Sequence, residues 1–105
     1  MKTKNLIAAA SFENKKFYFS DDYNDIPKEI KKNIKIICIN TAEKLCCTFL
    51  MLFDNYGNIY FKTIRNEYDI NFDEIGAELE IKKLQKKQYD LFKSLKIWYS
   101  IYKKI

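Results

Sequence analysis

CTFLMLFDNYGNIYFKTIR, Cys47 to Arg65, is the stretch whose reading decides the fold. Two apolar runs flank a short polar break, and Gly57 near the end of that break can take the positive φ that closes a type I turn with a bulge. The spacing predicts an antiparallel hairpin. Its first arm, CTFLMLF, is apolar at successive positions rather than alternate ones, so both of its faces need cover, as in an interior strand. A lone hairpin is marginal in water. The rest of the chain must therefore supply further strands beside it and helices against it.

Upstream, LIAAASF (6–12) and KFYFS (16–20) read as two such strands, joined by a tight turn through Asn14 and Lys15. Phe17 and Phe19 alternate with Lys16, Tyr18 and Ser20, which gives one core face and one wetter face. The small residues Ala8 to Ala10 would let a helix approach the sheet closely. SDDYNDIPKE then stops the strand and starts a helix, with Asp25 as N-cap and Pro27 in the first turn, where its missing N–H is tolerated. From Ile26 the apolar positions Ile30, Ile34, Ile37, Cys38 and Leu45 recur mostly at three- or four-residue steps, and a helix to about Glu43 is expected. The β-branched run IKIICI is its one strand-like element. After the hairpin, NEYDIN (66–71) suits a short fifth strand or a loop.

The last third of the chain reads as one long helix. Asn71 and Glu74 have capping-box spacing. Ala77, Ile81, Leu84, Gln88, Leu91, Leu95, Trp98 and Tyr102 then follow alternating steps of four and three, the seam of a coiled coil. Phe92 and Tyr99 widen this seam, which is the form of a helix lying on its own sheet, and Gln88 interrupts it. The acidic start and basic end both suit the helix dipole. The expected architecture is thus α+β: a single domain over residues 1–105, in the order β-β-α-β-β-α, with a mainly antiparallel sheet, two helices on one face and a long C-terminal helix.

A helix of about 30 residues would be roughly 45 Å long, against about 20 Å for a strand of five or six residues. Its distal aromatics, Trp98, Tyr99 and Tyr102, are therefore expected to overhang the sheet and to meet a partner, because contiguous exposed aromatics favour interfaces. Lys82, Lys83, Lys86, Lys87 and Lys93 mark the opposite face. They are either a solvated surface or phosphate contacts.

The chain carries a net charge of +5, and eighteen of its nineteen basic residues are Lys, with Arg65 the one Arg. Lys, Ile, Asn and Tyr, whose codons are AT-rich, make up about half of it, so the lysine content has a cause other than function. Arg, the better residue for bidentate base or phosphate recognition, is nearly absent. With no His in the sequence, Cys–His and Ser–His nucleophilic pairs are excluded. Cys38, Cys46 and Cys47 make a poor zinc set and are expected as reduced, buried thiols. No glycine-rich phosphate loop occurs, since Gly57 and Gly76 are the only glycines and lie far apart. The carboxylates of DDYND lack calcium-loop spacing. No metal, cofactor or catalytic residue is expected, and the chain is not expected to be an enzyme. The opening MKTKNLIAAASF has too short an apolar core for a secretory signal and is expected to be a strand. No segment approaches the length of a membrane span, so a cytoplasmic location is expected.

NKKFYF (Asn14–Phe19), FDNYGN (Phe53–Asn58), and DEIG (Asp73–Gly76) leading to Leu84-Gln85 together resemble an uncharacterised family of Gram-positive bacterial proteins of roughly this length, a domain of unknown function. The resemblance implies a small cytoplasmic bacterial protein and carries no catalytic assignment. The expected function is a non-enzymatic protein-interaction module whose partner is another protein or a second copy, a homodimer through the C-terminal helix or the sheet. The alternative is a nucleic-acid-associated protein using the lysine face.

Overall fold

The computed structural model describes residues 5–65 and 74–102. Its sheet is built from β1 (Leu6–Ser11), β2 (Lys16–Phe19), β3 (Thr48–Phe53) and β4 (Ile59–Ile64), in the spatial order β2-β1-β3-β4. Every pairing is antiparallel. β3 is interior, as its unbroken apolar run requires, and five of its six residues are buried. The hairpin loop is held by Asp54, whose Oδ1 accepts the N–H groups of Tyr56 (2.8 Å) and Asn58 (2.9 Å). Burial works against the Asp54 charge, but these bonds, a third from the Asn58 side chain and nearby Lys96 hold its carboxyl below the usual aspartate range. Gly57 takes φ +84°, the left-handed conformation the sequence reserves for it.

The register sorts the sheet residues by face. Ala10 lies opposite Phe17 on one side and Phe49 on the other, and Ala8 opposite Phe19 and Met51. These six side chains share a face. The buried core joins that face to Ile34, Ile37 and Cys38 of helix α1 (Lys28–Leu45) and to Leu95 and Trp98 of α3 (Tyr89–Tyr102). The alanines serve as the sequence suggests: Ala8 and Ala10 sit beneath the helical residues of this cluster with almost no exposure. Each large side chain sealed here contributes about 1.5–3 kcal/mol relative to exposure.

The start of α1 differs from expectation. The chain after β2 makes a single 3₁₀ turn at Asp21–Tyr23, and Ser20 caps it by accepting the Asp22 N–H at 3.2 Å. The Ile26 N–H bonds back to the Tyr23 carbonyl, and the Ile26 side chain is buried. With the chain tied down there, Asp25 stays exposed and the cap position falls to Pro27, whose carbonyl accepts the Lys31 N–H at 3.0 Å. The helix runs two residues past Glu43 and ends at Cys46, which takes the left-handed cap conformation at φ 52°.

The larger correction concerns the C-terminal helix. It is two helices, α2 (Glu74–Lys87) and α3, separated at Gln88, so the described order is β-β-α-β-β-α-α. Gln88 is the residue that interrupts the apolar seam. The hydrogen-bond ladder crosses the break, from the Gln88 N–H to Leu84 and from the Phe92 N–H to Gln88. The two halves have different neighbours. Glu80 of α2 is bonded to Lys44 of α1 at 2.7 Å, whereas Phe92 of α3 sits edge-on against Phe61 of β4. The expected fifth strand at 66–71 and the Asn71 cap lie outside the described residues.

Candidate interaction surface

The three aromatics near the chain end do not overhang the sheet as a group. Trp98 is 7% exposed; its indole stacks on Phe53 at 6.4 Å and meets Tyr23 edge-on at 6.0 Å. An overhang requires the helix to start at the edge of the sheet. α3, the later part, is instead the part that packs on the core, with Leu95 and Trp98 inside it. The buried Trp98 Nε1–H has no acceptor among the described residues, which costs on the order of 1–3 kcal/mol. Tyr99 is half-buried and packs on Phe53 with ring centroids 4.8 Å apart. It also closes over Gly57, where a Cβ would fall 2.6 Å from Tyr99 Cδ1. Tyr102 is exposed and stacks on Trp98 at 5.3 Å. Of the three, only Tyr102 offers most of its ring to solvent.

Burial reaches the chemistry of this cluster too. It pushes the Tyr23 hydroxyl up to about 12, with Tyr99 and Asp22 adding to the effect. The thiol of Cys38 is pushed up to about 12 and that of Cys47 to about 11, chiefly by burial. These groups are protonated and unreactive at neutral pH. Cys46 departs from the expected buried set: at the α1 cap it is partly exposed, with its Sγ 3.6 Å from the Glu43 carbonyl. Among the described residues no His, Cys, Asp and Glu side chains gather as a metal site, and no helix is long and apolar enough to cross a membrane.

The lysines do not form one face. Lys83 and Lys87 line a cleft of about 470 Å³ between α1 and α2, together with Lys44, Glu80, Asn40 and Gln88. The Lys44 hydrogen bond holds Glu80 below the usual carboxylate range, against the effect of burial. Lys82 and Lys86 lie on another side of α2, and Lys93 is on α3 beyond the break. All five are exposed.

What lies beside Lys82 and Lys86 escaped the sequence reading. Residues 75, 79, 82 and 86 recur at four-, three- and four-residue steps and so share one side of α2. Ile75 is 73% exposed and Leu79 58%. The same side therefore begins with two exposed aliphatics, bordered by Glu78, and ends in two lysines. On α3, Ile97 and Ile101 are likewise more than half exposed, one turn apart. The signal was present in the sequence, because Ile75 and Leu79 fall off the heptad seam.

A family of unknown function, DUF6145, matches residues 4–104. The chain belongs to this family. The match spans nearly all of the 105 residues, so a DUF6145 chain takes in both the sheet and the helical pair. No curated protein and no solved structure matches the chain. In this member of DUF6145, the geometry of the surface carries the functional argument.

Proposed function

We propose that the protein is a non-enzymatic interaction module that pairs with a second copy of itself along α2. The observation that carries this reading is the composition of the outward side of α2: Glu78 beside exposed Ile75 and Leu79 in the first half, Lys82 and Lys86 in the second. Two such helices packed antiparallel about a twofold axis near their middle place each acidic half against the partner's basic half. Leu79 then packs on the partner's Lys82 stem and Ile75 on its Lys86 stem, since long lysine side chains cover apolar surface while their charges stay in water. Glu78 faces the partner's Lys82.

The test separates contacts between chains from those within one helix. Glu78→Lys leaves a helix side basic throughout, and Lys82→Glu leaves an acidic pair at the same place. Each variant alone repels its own copy, while a mixture of the two restores every contact between chains. Sedimentation equilibrium at low salt should show the wild type dimeric, each variant weakened about tenfold, and the mixture forming one-to-one dimers. A wild type that stays monomeric at high concentration refutes the proposal.

A further inference from the structure

The other end of the sheet presents a different surface. β2 is an edge strand. The Ser20 N–H donates to the Ile7 carbonyl at 2.8 Å, which makes the Ser20–Ile7 pair a hydrogen-bonded one. By the alternation of an antiparallel ladder, Phe17 and Phe19 then turn their N–H and C=O groups away from β1, toward the open edge. Outside the sheet ladder, no hydrogen bond reaches the backbone of Phe17 or Phe19 among the described residues. Two donor–acceptor pairs, two residues apart, stand ready for another strand.

The side chains of these same residues form the floor of a groove between β2 and α1. It consists of two adjoining cavities of about 390 and 540 Å³ that share Phe17 and Lys35. Six lysines line the two cavities together, against two glutamates, Glu29 and Glu43. Lys31 Nζ stands 5.6 Å from the Phe19 ring centre and Lys35 Nζ 5.8 Å from that of Phe17. At the hairpin end, Lys15 Nζ lies 4.0 Å over Phe12. Lysines often guard open sheet edges, but such guards sit on the edge strand itself. Here four of the six, Lys28, Lys31, Lys32 and Lys35, come from the helix, where they overlook the strand position beyond β2.

We infer that this groove binds an extended acidic peptide, which adds to the sheet as a strand alongside β2. Residues of the peptide opposite Phe17 and Phe19 exchange both backbone hydrogen bonds with them, and their side chains project onto the same face of the sheet. On that face lie aromatic rings rimmed by ammonium groups, which suit glutamate: its methylenes rest on the rings and its carboxylate lies among the lysines. The alternate peptide residues fall on the opposite face beside Tyr18, which is half exposed, and there an aliphatic side chain fits. Backbone pairing supplies affinity and the alternating side chains supply selectivity. A nucleic acid would satisfy the lysines but would leave the two N–H and C=O pairs without the partners a strand provides. This surface is remote in sequence from α2, so either proposal can fail alone.

The probe is a fluorescent peptide of alternating glutamate and valine, read by anisotropy at low salt with the intact chain. Binding should weaken as salt is added, and amide exchange at Phe17 and Phe19 should slow in the complex. N-methylation of the glutamate amides, which face β2, should abolish binding, while N-methylation of the valine amides, which face solvent, should leave it intact. The exposed-site variant Lys32→Glu/Lys35→Glu should bind about tenfold more weakly. No binding of the peptide, equal binding of the two methylated forms, or preference for single-stranded oligothymidylate over the peptide would each overturn the inference.

Discussion

Gly57→Ala probes the contact that joins the hairpin loop to α3. Two costs add there. The first is conformational: at φ +84° a Cβ meets its own backbone, at roughly 1–2 kcal/mol. The second is steric, because the new methyl would fall 2.6 Å from Tyr99 Cδ1 and 3.0 Å from Cγ. Tyr99 cannot yield freely, since its ring rests on Phe53 at 4.8 Å; overpacking of this kind costs about 1–3 kcal/mol. The sum is about 2–5 kcal/mol. Urea denaturation of the wild type, Gly57→Ala, Tyr99→Ala and the double variant gives a cycle in which the steric part alone depends on Tyr99. In the Tyr99→Ala background, Gly57→Ala should therefore cost only its conformational part. If it costs as much there as in the wild type, the methyl does not meet Tyr99, and the account of how the loop holds α3 is wrong.

Trp98→Ala should destabilise the fold by about 3–5 kcal/mol, as removal of a core aromatic does, whereas Tyr102→Ala should cost far less; equal small losses in thermal or urea melts would return Trp98 to the surface. The thiols should divide in native buffer, with Cys46 reacting readily with a thiol reagent and Cys38 and Cys47 only after unfolding. Cys38 and Cys47 have native pKa values of about 12 and about 11, raised from an ordinary 9.0. Their contribution to stability is therefore complete below pH 9 and lost as pH rises toward those values. Flat stability from pH 8 to 11 in a Cys46→Ser background would contradict their burial.

How much of this was legible in the sequence follows from which interactions are local. The four strands were, because alternation, an interior apolar run and a turn glycine are written within a few residues of one another. The start of α1 was not. Asp25 has the chemistry of a cap, but the choice between Asp25 and Pro27 depends on Tyr23 and Ile26 being drawn into a core made by residues far along the chain. The C-terminal half was misread for a related reason. A seam of threes and fours says which side of a helix is buried, and it is unchanged when the helix breaks and each part finds its own neighbour. The single polar residue in that seam, Gln88, was the mark of the break. With α3 packed on the core, the buried side no longer needs a partner: Trp98 is core, Tyr99 is half-buried against it, and of the three Tyr102 alone stays exposed. The question of association then moves to residues that the seam excludes, Ile75 and Leu79 on α2 and Ile97 and Ile101 on α3. Those positions are each more than half exposed, and exposed aliphatics that the fold leaves only partly covered are where the proposed contact between copies is to be tested.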